Sequence, residues 1–291
     1  MVLKPSTYNS VFYQCNTVLR VIGKDIRVDR ITANYLRESL ARTGKGGGYL
    51  NNLRSRIITI FRWGYEHDYI TDISFLQKFK PFKDNSPHKK PEDKFLEQKD
   101  LQKLLSGFKT RKRELLTRFL SLSGLRIGEA IALNAQDVDL KNQVIRINKT
   151  IFPASKEIGP PKTGSSIRDI HIQPELAKVC SEIFLYTKQE ALFRGYQTEL
   201  FLSNTRGDYI SYLVYKDVLK KTSLEVLGFE VTPHMLRHTH ASLLAKGMSV
   251  DSISRRLGHE DSQITRQIYL HMTSELKRQE EEKIDSIRLI I

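Results

Sequence analysis

Cysteine is scarce in this 291-residue chain, which holds only Cys15 and Cys180. Two thiols so far apart make neither a disulfide framework nor a cysteine zinc cluster. Long apolar runs are missing as well: none approaches the roughly 20 residues needed to span a bilayer, and the opening residues carry no signal-peptide pattern. The expectation is an intracellular protein with no membrane partner. Acidic side chains are also in deficit, 33 Asp and Glu against 47 Lys and Arg, for a net charge of +14. No internal repeat or low-complexity tract is present.

What the chain does have fits a folded, water-compatible protein: 40% hydrophobic residues and a mean hydropathy of −0.40. Its length favours two modest domains over one. The positive charge is uneven, because residues 1–90 hold 16 basic and 7 acidic side chains, net +9, and leave +5 for the rest. That asymmetry points to a polyanion, bound most strongly through the N-terminal part, with an affinity that falls steeply with salt. A merely basic protein would show the same total.

Apolar residues at three and four spacings in "YNSVFYQCNTVLRVIG" and "YLNNLRSRIITIFRWGYEHDYI" predict helices across residues 7–80, as a bundle of four or five. Between them "TGKGGG", residues 43–48, breaks the helix. Its GK lacks the Ser or Thr of a phosphate loop, so a plain loop is favoured, with Lys45 a candidate contact to DNA phosphates. Ile57, Ile58 and Phe61, with Trp63 nearby, read as a core face. Arg54, Arg56 and Arg62 read as a basic stripe, either along a nucleic-acid backbone or on a solvated face.

"KPFKDNSPHKKPEDK", residues 80–94, is Pro-rich, charged and nearly devoid of apolar side chains, the composition of a linker. The expected domains are therefore residues 1–82, a linker over 83–94, a second domain over 95–275 and a tail over 276–291. In the second domain, Gly124 breaks a helical run just before Arg126. Period-two alternation then predicts strands over 143–151 and 166–172, joined by an exposed turn carrying Lys156 and Lys162. Helices resume from Pro174. The fold class is mainly α with a small antiparallel β-sheet.

The densest stretch is "TPHMLRHTHASLLAKGMSVDSISRRLGHEDSQITRQIYLHM", residues 232–272. Thr232 as N-cap and Pro233 at the first helical position open a helix that Gly247 closes. His234 and Arg237 then share one face of its first turn, where free N–H groups favour an anion. "SVDSISRRL" forms a second helix ending at Gly258, so His259 lies just past a helix terminus. A third helix, from Asp261 or Ser262, carries Tyr269. Singly, each has a plain structural reading: satisfied histidines, a core-edge tyrosine, a surface ion pair. A helix-turn-helix without chemistry is another. The spacings match no zinc signature.

Taken together, HxxRH (His234, Arg237, His238), LGH (Leu257–His259) and a tyrosine ten residues beyond that histidine closely resemble the C-terminal signature of the tyrosine recombinases, the phage integrase family. "SGLRIGEAIAL", residues 123–133, resembles the first arginine box of that family and "PPKTGSSIRDI", residues 160–170, its lysine hairpin. The resemblance covers about residues 95–275, and the basic helical segment before it fits the core-binding domain of the family.

The resemblance implies a two-domain architecture, a helical core-binding domain plus a mixed α/β catalytic domain that close on DNA as a clamp. It implies a site-specific DNA recombinase, an integrase of a phage or mobile element in a bacterium, acting in the cytoplasm at the nucleoid. The implied catalytic residues are Arg126, Lys162, His234, Arg237, His259 and Tyr269. Two guanidiniums fork onto phosphate oxygens. Tyr269 attacks, since a phenol near pKa 10 needs a base such as His234 or a positive field to react. Lys162, with Lys156 and Lys149 nearby as alternatives, protonates the 5′ oxygen, and His259 bonds the phosphate.

Glu129 could orient Arg126, His238 packs locally, and His271 helps to position the tyrosine helix. Neither metal nor cofactor is implied. The partners are double-stranded DNA with specific core sites, three further copies in a synapsed homotetramer, and accessory DNA-bending proteins. The apolar end of the tail, from Ile284, is expected to dock on a neighbouring subunit. Many integrases also carry a small N-terminal arm-binding module, so this chain either lacks it or starts after it. The competing readings are a type IB topoisomerase-like enzyme and a catalytically inactive DNA-binding regulator.

Overall fold

The computed structural model describes residues 5–84, 94–152, 157–161, 164–258 and 263–285. The chain divides into two compact units, Met1–His88 and Lys89–Ile291, and the described residues are mostly helical with two small antiparallel sheets.

Among its described residues the first unit has three α-helices, α1 (Pro5–Ile22), α2 (Ala33–Ala41) and α3 (Gly47–Glu66), with 3-10 turns at Val28–Arg30 and Ser74–Lys78. This is fewer than the four or five helices expected. After α3 the Asp72 carboxylate accepts the Ser74 N–H at 2.7 Å, and Pro81 cannot donate, so the segment closes as one short turn. Leu50, Leu53, Ile57 and Phe61 of α3 pack with Leu36 and Leu40 of α2 and Val18 and Ile22 of α1.

Trp63 departs from the expected core face: it is 53% exposed and stacks on His67 and Tyr69. It stands two residues past buried Phe61, about 200° around the helix. The glycine break is also shorter than six residues, because Gly47 and Gly48 belong to α3. A Cβ on Gly47 would lie 2.2 Å from the Lys83 carbonyl oxygen. Glycine there lets the chain around Lys83 lie against the helix, and Asn51 pins it by exchanging two hydrogen bonds with the Phe82 backbone.

The second unit opens with α4 (Gln98–Ser106), α5 (Arg111–Ser123) and α6 (Ile127–Ile131). Short strands follow: β1 (Val138–Asp139), β2 (Val144–Ile147), β3 (Thr150–Ile151), β4 (Ile158–Gly159) and β5 (Arg168–His171). It ends with α7 (Pro174–Arg194), α8 (Tyr212–Leu227), α9 (Pro233–Ala245), α10 (Val250–Leu257) and α11 (Gln263–Asp285). β2 lies between β1 and β5, antiparallel to both, with Ile145 opposite Ile170. The run 143–151 is not one strand, because β3 leaves this sheet to pair with β4 as a separate hairpin.

Helix α5 is the centre of this unit. Leu115, Leu116, Phe119 and Leu120 are all buried, and the helix packs against α7 and α9. A smaller apolar cluster joins Ala241 and Ala245 of α9, Ile253 and Leu257 of α10, and Ile268 and Met272 of α11. Helix α9 ends at Ala245, slightly before Gly247. Helix α11 runs on to Asp285, so residues 276–285 continue the helix of Tyr269 rather than starting a separate tail. The side chain of Ile284 and residues 286–291 lie outside the described residues. Among the described residues no helix is long and apolar enough to cross a membrane.

Candidate active site

Three helix boundaries bring the cationic groups together. Helix α5 stops at Gly124, whose φ of +68° is a left-handed C-cap, and Arg126 is then the N-cap of α6. Helix α9 begins as the sequence predicts: the Thr232 hydroxyl accepts the Met235 N–H, and Pro233 occupies the first turn. Helix α10 ends at Gly258, again left-handed, with φ +66°. A Cβ there would meet the Ser165 carbonyl oxygen at 2.8 Å and Arg168 Nη1 at 3.0 Å, so only glycine suits both the backbone angle and the space.

Arg237 is 2% exposed and donates through Nη1 to the Gly124 carbonyl at 2.6 Å and through Nη2 to the Leu257 carbonyl at 2.5 Å. Both acceptors are at helix C-termini, where the macrodipole is negative. Burial, then the nearby Arg126, pushes its guanidinium down to about 9, which leaves it cationic at neutral pH. Arg126 is more open, with 35% of its side chain exposed. Its Nη2 donates to the Gly258 carbonyl at 3.0 Å, and its Nη1 to Glu129 Oε1 at 2.9 Å and Ser166 Oγ at 3.3 Å.

Glu129 orients Arg126 directly, and the carboxylate also accepts the Arg126 backbone N–H at 2.9 Å. It is buried, with 1% exposed. Burial alone would lift its carboxyl, yet Arg168 and Arg126 outweigh that and hold it below the ordinary value, so it is ionised at neutral pH. Arg168, on β5, was not singled out by sequence reasoning. It donates to both Glu129 oxygens, to the Arg256 carbonyl and to the Ser166 carbonyl.

His234 stands in the first turn of α9 on the exposed side. Loss of solvent, then Arg237 and Arg126, lowers its pKa, so its imidazole is neutral and able to accept a proton near pH 7. His238 is partly buried and is pushed down to about 4 by burial and by His234 and Arg237. His240, also missed by the sequence reading, is 2% exposed. Its Nδ1 bonds the Ser121 carbonyl at 3.1 Å, while its Nε2 accepts the Arg256 Nε–H at 3.0 Å, which fixes a neutral tautomer. Burial and Arg256 push it to about 3.

Tyr269 lies on the second turn of α11, partly buried at the edge of the apolar cluster shared with α9 and α10. His271 packs against Phe95, with ring centroids 6.0 Å apart. His259, Lys162 and Lys156 lie outside the described residues. Lys149 is ion-paired with Asp137 at 2.7 Å.

In the first unit, Arg54 donates to the Phe79 carbonyl at 2.6 Å with its guanidinium over the Phe79 ring, and Arg56 donates to Gln14. Being two residues apart on α3, they face nearly opposite sides instead of forming one stripe. Arg62 and Lys45 are exposed. Among the described residues no three His, Cys, Asp or Glu side chains converge as a metal site.

The arrangement offers an anion two fixed guanidiniums and a neutral imidazole, and Tyr269 is carried on α11, which packs against α9 and α10. Residues 94–275 match the model of the phage integrase family. The integrase of Staphylococcus phage L54a is 35% identical over 176 residues, covering 57% of this chain and 50% of that protein. The chain spans about half the length of the first curated relatives it matches. In fold it is similar to the Tn1549 transposon integrase in complex with transposon right end DNA, with TM-score 0.72, 22% identity and coverage of 98% and 95% of the two chains. It is likewise similar to a lambda integrase tetramer bound to a Holliday junction, with TM-score 0.70, 16% identity and coverage of 92% and 72%.

Proposed function

The chain belongs to the phage integrase family, and we propose that it is a site-specific DNA recombinase of a phage or other mobile element. The observation that carries this reading is the pairing of buried Arg237 with half-open Arg126, each anchored on helix-end carbonyls, next to neutral His234. Guanidiniums held before the substrate arrives can stabilise the charge of a pentacoordinate phosphate without reorganising.

In the proposed reaction the Tyr269 oxygen attacks the scissile phosphorus and its proton passes to His234. The bond from phosphorus to the 5′ oxygen breaks, and Lys162 protonates that oxygen to give a free 5′ hydroxyl. A 3′-phosphotyrosyl link remains, and one phosphoester has replaced another. A 5′ hydroxyl from a second duplex can therefore reverse the step and exchange strands with no co-reactant. His259 bonds a non-bridging oxygen, and His271 with Phe95 steadies the tyrosine helix.

The remaining parts of the reading are the expected division of labour. Residues 1–82 grip the core site, with Lys45 and Arg62 on phosphates, and residues 95–275 cut it. Four copies synapse two duplexes, the segment from residue 284 docks on a neighbouring copy, and DNA-bending proteins assist at the bacterial nucleoid. Deleting residues 284–291 tests the docking, since unchanged synapsis and recombination would remove it.

The central test incubates the chain and its Tyr269→Phe variant with nicked duplexes bearing candidate core sites. A covalent protein–DNA band that requires Tyr269 and carries a 3′ phosphate is expected. Exchange between two duplexes then separates a recombinase from a topoisomerase that only relaxes supercoils. Binding to the same sites with no covalent band would leave a DNA-binding regulator instead.

A further inference from the structure

Glu129 sets an electrostatic problem for the site. It is a carboxylate with 1% exposure, only one hydrogen bond away from the guanidinium meant to face the phosphate. A buried charge must be offset locally. If Arg126 were its only counter-ion, the charge of Arg126 would be spent inside the protein.

Arg168 changes that balance. Its Nη2 donates to Glu129 Oε2 at 3.1 Å and its Nη1 to Oε1 at 3.3 Å, while Arg126 Nη1 takes Oε1 at 2.9 Å. The Arg168 side chain is only 7% exposed, against 35% for Arg126. Its remaining bonds go to backbone, from Nε to the Arg256 carbonyl at 2.6 Å and from Nη1 to the Ser166 carbonyl at 3.0 Å. Four of its five N–H donors are thus committed to protein oxygens, so it does not reach out as a phosphate ligand.

The Arg126, Glu129 and Arg168 trio carries a net charge of one positive unit, and without Arg168 it carries none. The backbone bonds add registration. The Arg256 carbonyl directly precedes the Leu257 and Gly258 carbonyls that hold Arg237 and Arg126. The Ser166 carbonyl belongs to the turn from which β5 departs.

We infer that Arg168 is a positioning residue for phosphoryl transfer: it neutralises Glu129 so that Arg126 presents a full positive charge outward, and it holds the end of α10 in register with α6. The inference rests on the recombinase reading above. The alternative is an ordinary buried ion pair that only stabilises the fold. The two differ in what happens when both charges are removed, because Glu129→Gln combined with Arg168→Gln restores the trio to one positive unit, carried by Arg126 alone.

The test measures single-turnover cleavage of a nicked core-site duplex by the full chain, with DNA affinity and thermal melting in parallel. Arg168→Gln should bind DNA as the wild type does but cleave about 100-fold more slowly, the scale of a roughly 1 Å misplacement of a reacting group. Arg168→Lys, which keeps the charge and loses the fork, should fall between. The double variant should recover about ten-fold over Arg168→Gln, an ordinary coupling for two residues in contact.

A double variant no faster than the single one, or an Arg168→Gln enzyme that cleaves normally, overturns the inference. If Arg168→Gln does not fold, the double variant decides: one that melts normally and still cleaves about 100-fold more slowly than the wild type rejects charge compensation. A wild type with no Tyr269-dependent band removes the recombinase reading and this one together. A band indifferent to Arg168 removes only this one.

Discussion

His240 should make the second unit sensitive to acid. The ring sits between the Ser121 carbonyl and the Arg256 guanidinium, 2% exposed, with Nε2 occupied as an acceptor. Protonating Nε2 would replace a hydrogen bond by a repulsion between two cations. Burial and Arg256 accordingly hold its pKa near 3, against an ordinary histidine value of 6.5. In the unfolded chain the ring takes up its proton below about pH 6.5, while the native ring stays neutral.

The unfolded state then binds more protons, and stability drops as the pH falls, by about 1.4 kcal/mol per pH unit for this one group. Between pH 6.5 and 4 the loss amounts to about 3 kcal/mol, a large part of the 5–15 kcal/mol typical of a domain. His240→Gln keeps an acceptor for Arg256 but cannot titrate. It should cost about 1 kcal/mol at pH 7 through imperfect hydrogen bonds, and that deficit should shrink and reverse on acidification. The assay is urea unfolding of both proteins by circular dichroism across that pH range. Parallel stability curves for the two proteins would refute a buried neutral His240.

Cleavage itself should need neutral His234, whose pKa is depressed by lost solvent and by Arg237 and Arg126. The acid limb of the rate profile should therefore inflect below about 6.5, and an inflection above 7 would count against His234 as the base. Gly258→Ala should cost about 1–2 kcal/mol of stability for the left-handed backbone alone. It should lower the cleavage rate further still, since its Cβ presses on Arg168 and on the Ser165 carbonyl; cleavage falling no more than stability would argue against that contact. Gly47→Ala, although a favourable change in most helices, should destabilise the first unit by about 1–3 kcal/mol, because the new Cβ collides with the Lys83 carbonyl. Trp63, the only tryptophan, lies in that unit, so its fluorescence follows the unfolding, and a stabilised variant would refute the packing account.

The parts of the site that were legible in the sequence are those that local chemistry dictates. Thr232 and Pro233 announce a helix start, and Gly124 and Gly258 announce helix ends, so the positions of Arg126 and Arg237 follow from neighbours within one turn. Glu129 is also local, three residues from Arg126. Arg168 was hidden because its partners lie 39 and 88 residues away, and only the pairing of β5 with β2 aims it at them. His240 was hidden for a related reason: His234, His238 and His240 share α9, and only the packing of α5 on α9 decides which is buried. In the first unit, the Arg54 and Arg56 assignments missed the carbonyl of Phe79 and the amide of Gln14, both distant in sequence.

The Arg237 guanidinium is held by the main-chain oxygens of Gly124 and Leu257, and that of Arg126 by the Gly258 oxygen alongside the Glu129 and Ser166 side chains. A peptide oxygen is supplied by every amino acid, so mutation cannot delete the main-chain anchors one side chain at a time. A saturation scan of residues 257 and 258 should register very different tolerances: at 257 a broad set of apolar residues that still fill the α9–α11 cluster, at 258 glycine alone. Drift along the lineage can thus rewrite the apolar side chains around residue 257 while Arg237 stays where it is.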